Sequence, residues 1–206
     1  MLKRSAALAP GITPPRRVEV DRLLIRQWQP EDVTARWRAI TASFDHLCPW
    51  WGDSLIELTT LAGQRAHIEQ IARWPDNGGS FRYGVFDGDN TVLGGVDLHD
   101  RVGCRAIELG YWCHIAHTGR GVITRASAAL TETALRLPGI DRVEIHCDAA
   151  NTRSAAVARR LGFHLDRTER RDKAAPNDSG HMMFWIRHSS GLTSSACPAS
   201  SPGPRS

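Results

Sequence analysis

Glu108-Leu-Gly-Tyr-Trp-Cys-His-Ile-Ala-His-Thr-Gly-Arg-Gly-Val-Ile-Thr-Arg-Ala126 is the stretch whose reading decides the fold of this chain. Its first part, Ala106 to His114, predicts a strand, and Gly121 to Arg136 predicts a helix ended by Leu137-Pro138-Gly139. Between them, Gly119 and Gly121 open a short loop. Glycine lets a backbone approach a ligand closely. The first turn of a helix presents N–H groups without partners at the positive end of the helix dipole. A strand passing through such a loop into a helix is therefore an anion site suited to phosphate, and Arg120 and Arg125 add charge to it. Two nucleotide-binding patterns do not fit. A Walker loop needs a Lys-Ser/Thr pair that is absent, and a dinucleotide fingerprint needs glycine at 124, where threonine stands.

Working outward, Val18 to Trp28 predicts a first strand, and Pro30-Glu31-Asp32 opens a helix to about Ser43. Ser54-Leu-Ile-Glu57 fits a capping box, from which a helix runs to about Trp74 and stops at Pro75. Phe81 to Phe86 and Val92 to His99 predict two strands joined by a turn at Asp87-Gly-Asp-Asn90. Arg142 to Asp148 is a strand, Thr152 to Leu161 a helix stopped by Gly162, and His181 to Arg187 a last strand after a polar loop. The expected fold class is α+β: one mixed, mostly antiparallel sheet flanked by about four helices. Residues 1–16, with three prolines, read as a flexible arm, 17–188 as one folded domain, and 189–206 as a disordered Ser/Pro/Gly tail.

Composition narrows the function classes. A chain of 206 residues with 41% hydrophobic and 23% charged residues reads as a soluble globular domain. No apolar run has the length of a membrane span, and Pro10 interrupts the N-terminal apolar stretch before a secretory leader forms, so a cytoplasmic location is expected. The net charge of +4 comes mostly from arginine: only Lys3 and Lys173 are lysines, which leaves 24 arginines among 26 cations. These are scattered rather than clustered, which argues against nucleic acid as a partner. Five widely spaced cysteines without a Cys-x-x-Cys argue against a disulfide framework or a zinc site. The pairs Cys113-His114 and His146-Cys147 sit in strand-like runs, where neighbours face opposite ways, so packing is the expected role and no metal site is assigned.

Thr118-Gly-Arg-Gly-Val-Ile123 resembles the pyrophosphate loop of the GNAT acetyltransferases, Arg/Gln-x-x-Gly-x-Gly/Ala, with Thr118 and Ile123 as departures. Gly121-Val-Ile-Thr-Arg-Ala126 is similar to the Gly-Ile-Met-Thr-Arg-Ala of the RimJ/RimL-like branch, which acetylates ribosomal-protein N-termini. Asn151-Thr-Arg-Ser154 followed by Arg159-Arg-Leu-Gly-Phe163 looks like the family's second motif, and Leu23-x-Ile-Arg26-x-Trp28-x-Pro-Glu-Asp32 like that branch's opening. The resemblance covers roughly residues 18 to 188. It implies a sheet splayed between the fourth and fifth predicted strands, with acetyl-CoA, or another short acyl-CoA, wedged between them. It further implies that the backbone of Cys113, His114 and Ile115 pairs with the pantetheine arm. The amides of Gly119, Arg120, Gly121, Val122, Ile123 and Thr124 would hold the pyrophosphate, Asn151 the pantetheine, and Arg160 (or Arg159) the nucleotide phosphate.

Acyl transfer to an amine needs the neutral amine. A lysine with a pKa near 10.4 pays about 4–5 kcal/mol at pH 7 to lose its proton, and an α-amine near pKa 8 only about 1.4 kcal/mol. A general base therefore helps with either and is close to essential for a lysine. The resemblance assigns that base to Glu108, whose pKa must rise for the task. The family's usual tyrosine acid is replaced by Ala158, which leaves Ser154 to stabilise the departing thiolate. Phe44 to Trp51 corresponds to the family's substrate wall, so His46, Trp50 and Trp51 are the acceptor-side candidates, with Asp45, Asp53 and Glu57 able to attract a cation. The expected activity is acetylation of a protein or peptide N-terminal α-amine. A small amine (polyamine, aminoglycoside or amino acid) and a non-catalytic acyl-CoA-binding module are the alternatives. A homodimer is compatible with the sequence.

Overall fold

The computed structural model describes residues 6–73 and 79–189. In chain order it comprises β1 (Arg17–Val20), β2 (Leu23–Gln27), α1 (Val33–Ala42), α2 (Phe44–Trp51), α3 (Leu61–Arg73), β3 (Ser80–Phe86), β4 (Val92–Gly103), β5 (Ala106–Cys113), α4 (Val122–Leu135), β6 (Arg142–Asp148), α5 (Thr152–Arg160), β7 (His164–Arg170) and β8 (His181–His188). The strands form one sheet in the order β1-β2-β3-β4-β5-β6-β8-β7, and β5–β6 is its one parallel pair. This is the mixed, mostly antiparallel sheet expected from the sequence.

Alternation along the strands sorts side chains onto two faces. Ile107, Leu109, Tyr111 and Cys113 of β5 pack with Val143, Ile145 and Cys147 of β6 against α4 and α5. Trp112 turns the other way, joining Trp28 and Phe86 in a second cluster with α1, α2 and α3. The polar members of that second face, among them Glu108 and Glu144, lie side by side where β5 and β6 pair.

Four local differences from the sequence reading have physical causes. The first predicted strand is a hairpin, because Asp21 adopts φ 52° and Val20 pairs with Leu23 around a two-residue turn. Aspartate tolerates that left-handed conformation, yet the turn lacks the Asn-Gly or Asp-Gly pair that signals it. The helix α2 adds a fifth to the four expected and carries Pro49, a residue that disfavours helix, in its interior. Ser54 does not cap a helix: its hydroxyl donates to the Trp51 carbonyl at 2.6 Å. Two 3-10 turns intervene, and α3 starts after Thr60, whose Oγ1 accepts the Gly63 N–H. The expected stop at Trp74-Pro75 lies outside the described residues. Finally β7, His164–Arg170, is exposed throughout and has no apolar alternation to announce it. Its row of charged side chains suits a sheet edge that must not recruit another strand.

Of the N-terminal arm, residues 6–16 lie against the sheet. The amides of Ala7 and Leu8 donate to the Asp100 carboxylate at 2.7 and 3.1 Å, and the Tyr83 hydroxyl donates to the Pro15 carbonyl. The tail reading for 189–206 falls, apart from Ser189, outside the described residues.

Gly94 on β4 is a strand glycine pressed against backbone. A Cβ there would stand 2.4 Å from the Trp112 carbonyl oxygen and 3.2 Å from the Cys113 Cα, backbone atoms that cannot swing away. Gly94→Ala is therefore expected to cost about 1–3 kcal/mol, read in thermal unfolding as a fall in Tm of about 2–4 °C per kcal/mol.

Candidate active site

The parallel pair holds for only three residues. Ala106 faces Arg142, Ile107 faces Val143 and Glu108 faces Glu144; beyond that the strands part. The far edge of β5 stays zipped to β4 as far as Cys113 opposite Gly94. Strand alternation then fixes which backbone groups face the gap. The His114 N–H donates to the Leu93 carbonyl on the β4 side, so Cys113 and Tyr111 turn their backbone towards the opening. The Ile115 N–H is taken by the Ser43 hydroxyl at 3.1 Å. Of the three residues expected to pair with pantetheine, Cys113 is thus the one oriented for it, and the His114 and Ile115 amides are already bonded elsewhere.

Beside the gap, Gly119 and Gly121 adopt φ 74° and 70°, left-handed values that glycine tolerates, and Gly121 is the residue before the first turn of α4. No side chain caps that helix start. Arg125 is the first residue to close a helical bond, to the Gly121 carbonyl at 3.0 Å, so the preceding amides form an uncapped nest for an anion. The Arg125 guanidinium braces this turn by bonding the Arg120 carbonyl and pairing with Asp21. A cleft of about 760 Å³ runs from the nest, past Thr118 and Thr124, to Asn151, Ser154 and Arg160. Arg159 instead lies over the Trp185 ring at 5.6 Å, which leaves Arg160 as the arginine of that pair in the cleft. Asn151 caps α5, its Oδ1 accepting the Ser154 N–H at 3.1 Å.

A second cleft, about 690 Å³, opens on the opposite side of the sheet gap between α2, α3 and the 171–178 loop. Trp50, Trp51, Tyr111, Trp112, Asn151 and Ser154 line both clefts, so the two meet there. At the junction the Tyr111 hydroxyl lies 2.9 Å from both the Ser154 carbonyl and the Ser154 Oγ. Burial pushes the Tyr111 phenol well above its ordinary range, so it remains an O–H at neutral pH. Burial likewise raises the thiol of Cys147, which keeps it protonated and a poor nucleophile. Tyr111 was not singled out in the sequence. Its signal was the alternation Ile107, Leu109, Tyr111, which points it at the α5 side where Ser154 begins a helix. Trp51 meets Trp112 edge-on at 6.4 Å, forming a wall common to both clefts. His46, expected on the acceptor side, lines only the nest-side cleft, and burial and Arg153 lower its pKa. Glu57 reaches the acceptor-side cleft, whereas Asp45 and Asp53 are not among its lining residues.

Glu108 sits on the acceptor side, buried at 8% exposure. Arg101 holds it with two hydrogen bonds, 2.8 Å from Nε to Oε2 and 2.6 Å from Nη2 to Oε1. Burial alone would raise its pKa. The Arg101 bonds and charge, with His146 and His99, outweigh burial and hold the carboxyl below its ordinary range. The rise expected for a base is thereby reversed: at neutral pH Glu108 is a fixed anion. Next to it, His146 lies with Nδ1 3.5 Å from Glu108 Oε2 and Nε2 2.8 Å from Glu144 Oε2. Among the described residues no group of three or more His, Cys, Asp or Glu side chains is arranged to hold a metal.

A sheet parted at one parallel pair, with an uncapped glycine-started helix beside the gap, defines a GNAT-type acyltransferase. The acetyltransferase (GNAT) domain family matches residues 22–164, and the chain belongs to that family of N-acetyltransferases. Bacillus subtilis YdaF is 35% identical over 99 residues, 47% of this chain and 53% of that protein, so the chain spans little more than half of that relative. The ribosomal-protein-serine acetyltransferase of Escherichia coli is 27% identical over 130 residues, 52% of this chain and 70% of its own. Among solved structures, a RimL ribosomal L7/L12 α-N-protein acetyltransferase in complex with coenzyme A superposes with a TM-score of 0.75 at 22% identity, covering 84% of this chain and 97% of that one. RimJ of Mycobacterium smegmatis in complex with CoA-disulfide gives 0.74 at 19% identity, covering 89% and 90%. No helix among the described residues is long and apolar enough to cross a membrane.

The ion pair makes a pH prediction. A carboxyl whose folded pKa is depressed contributes stability that is full above its unfolded pKa and is lost as pH falls through the folded value. Arg101→Met removes the main lowering influence, so Glu108 should titrate at higher pH, followed by carboxyl-carbon NMR. The part of the acid-induced loss of stability that comes from Glu108 should then be smaller than in the wild type, since the gap between its folded and unfolded pKa closes. An unchanged Glu108 titration would show that Arg101 does not set its charge.

Proposed function

We propose that the chain transfers an acetyl group from acetyl-CoA to the α-amine of a protein or peptide N-terminus. The observation that carries this is the meeting of two clefts at Tyr111 and Ser154, one leading to the anion nest and one to Glu108. In this reading the amides of Gly119 to Thr124 hold the cofactor's diphosphate. Cys113 and Tyr111 offer their backbone to the pantetheine, Asn151 lies beside it, and Arg160 is near the nucleotide end. The thioester then lies at the junction, and the acceptor enters from the other side past Trp50 and Trp51. Glu108 receives the amine, its negative charge drawing an ammonium to the junction and its carboxylate accepting an N–H. The amine nitrogen attacks the thioester carbonyl carbon, the C–S bond breaks, and the thiolate is met by the linked hydroxyls of Ser154 and Tyr111. That pair supplies the hydrogen bond, and the proton, for which the family's tyrosine is missing at Ala158.

The acceptor class follows from charge. The acceptor-side cleft carries the carboxylates of Glu57, Asp97, Glu108, Asp148 and Asp178. Three are already compensated: Asp97 by Arg82 at 3.5 Å, Glu108 by Arg101, and Asp178 by Arg171 at 3.4 Å. Asp148 accepts the amides of Ala150 and Ser179 at Oδ1, while its Oδ2 has no hydrogen-bond partner. A cleft with three of its five carboxylates already paired suits one ammonium followed by a neutral peptide backbone better than a polycation. Several similar proteins are named for acetylating serine or alanine of ribosomal proteins, one of them an N-terminal serine, which agrees with that choice.

Purified protein should show a cofactor-dependent rise in Tm with acetyl-CoA. It should also release thiol when given a short peptide with a free N-terminal serine or alanine, faster than with spermidine or an aminoglycoside. Ser154→Ala is expected to lower kcat by about 10–100-fold with little change in acetyl-CoA binding, since it removes an interaction made as the thiolate departs. Tight acetyl-CoA binding without thiol release on any amine would overturn the enzymatic reading in favour of a binding module.

A further inference from the structure

Glu108 meets the amine in the reading above, but a carboxylate clamped by Arg101 cannot keep a proton at neutral pH. The proton that the ammonium must lose needs another resting place within reach. We propose that His146 is the proton acceptor of the reaction and that Glu144 is its positioning residue. This rests on the acetyltransferase reading and deepens it.

The argument is one of donors and acceptors. His146 and Glu144 are two residues apart on β6 and share a face of the strand. Glu144 is almost fully buried and is bonded at Oε1 by Arg142 Nε at 2.7 Å. Burial favours its neutral form, but the bonds from His146 and Arg142 and their charges prevail and hold it below the ordinary carboxylate range. An ionised carboxylate only accepts, so at 2.8 Å the His146 Nε2 must carry a hydrogen. In the neutral ring this leaves the lone pair on Nδ1, directed across 3.5 Å at Glu108 Oε2, which is also an acceptor. Two acceptors facing each other at that distance form a receptacle for a group with hydrogens to give. An ammonium has them. The ring is fixed for this purpose by the edge-on Phe184 at 4.5 Å, itself covered by the Arg167 guanidinium at 4.0 Å. His146 also lines the acceptor-side cleft with Glu108.

The ionisable groups around the ring come from four strands, β4 to β7. Glu144 and Glu108 flank the two nitrogens, with Asp148 further along β6. Against them stand Arg142 of β6, Arg101 of β4 and Arg167 of β7, each already bonded to a carboxylate. His99, the neighbour on β4, is lowered by burial and hydrogen-bonded to Ser80 at 2.6 Å. Two carboxylates thus stand within hydrogen-bond or ion-pair distance of the two ring nitrogens.

The protons balance. An ammonium nitrogen loses two hydrogens on becoming an amide nitrogen. The first passes to His146 Nδ1, freeing the lone pair that attacks, and is later returned to water. The second leaves after the C–N bond has formed and ends on the departing sulfur through Ser154 and Tyr111.

The test follows steady-state thiol release from acetyl-CoA with a serine-led peptide across the pH range, in the full chain. His146→Gln should lower kcat by about 100-fold or more while the KM for acetyl-CoA stays unchanged. It should also abolish the acid-side limb of the rate–pH profile. Glu108→Gln should weaken the peptide KM but keep that limb, and Glu144→Gln should move the limb to lower pH. Imidazole should restore activity to His146→Ala, whose fold is verified by its Tm shift with acetyl-CoA. His146→Gln with the wild-type limb, or a folded His146→Ala that imidazole does not rescue, would overturn the assignment. A wild type that binds acetyl-CoA and acetylates nothing would bring down the acetyltransferase reading, and this assignment with it.

Discussion

After the Glu108–Glu144 pair, β5 and β6 stop bonding to each other, and the rest of the molecule is arranged around that failure. Buried backbone N–H and C=O groups are costly unless paired, so two neighbouring strands that part inside a sheet need a reason and a substitute partner. Here each strand is anchored on its outer edge, β5 to β4 as far as Cys113 and β6 to β8 along its full length. Those anchors allow the inner edges to separate without unravelling the sheet. The separation is what lets clefts from both faces reach a common point at Tyr111 and Ser154. A transfer reaction needs that topology, because donor and acceptor must approach the same carbon from different sides.

The two clefts differ because the two faces of the sheet differ. The face carrying α4 and α5 is apolar along β5 and β6, and its polar recognition comes from backbone: an uncapped helix start after two left-handed glycines. Backbone amides recognise a diphosphate without regard to side-chain identity, so the departures at Thr118 and Ile123 leave the nest intact. The opposite face carries a polar row, His99, Glu108 and Glu144 side by side on three strands, with His146 one step along. Ionisable groups so close cannot be indifferent to one another. Arginines on β4 and β6 hold both glutamates as anions, and the histidine stands between them.

The sequence made the glycine loop and its helix legible because both the conformational demand and the charge demand fall on contiguous residues. Ser154 was legible for the same reason, lying in the first turn after a strand. Tyr111 and His146 were not, since their importance depends on what stands across from them: Ser154 on α5 for one, Glu108 on β5 for the other. Register between distant strands is not written locally. The reversed expectation for Glu108 has the same origin. Burial alone would have raised its pKa, and only the Arg101 fork, seven residues along the chain and brought back by the β4–β5 hairpin, turns the sign. Strands without apolar alternation, such as β7, and turns without the usual residues, such as Asp21-Arg22, escaped for the simpler reason that no local physical demand marks them.

The missing tyrosine at Ala158 and the clamped Glu108 are two sides of one redistribution. With alanine at 158, α5 packs flush on the sheet, Ala158 being fully buried. The hydroxyl needed at the junction then comes from β5 through Tyr111, held against Ser154 from the strand side. That hydroxyl stands three residues beyond Glu108, on the opposite face of the same strand, so one strand carries both the acceptor-side carboxylate and the hydroxyl at the meeting of the clefts. A strand bonded along one edge is stiffer than a helix start or a loop, and pre-organised dipoles are worth most when they need not move as charge develops. The parted strand thus serves as wall, hydrogen-bonding edge and catalytic frame at once, which is why the pairing of β5 to β4, through the tight Gly94–Cys113 contact, bears on chemistry as directly as any side chain at the junction.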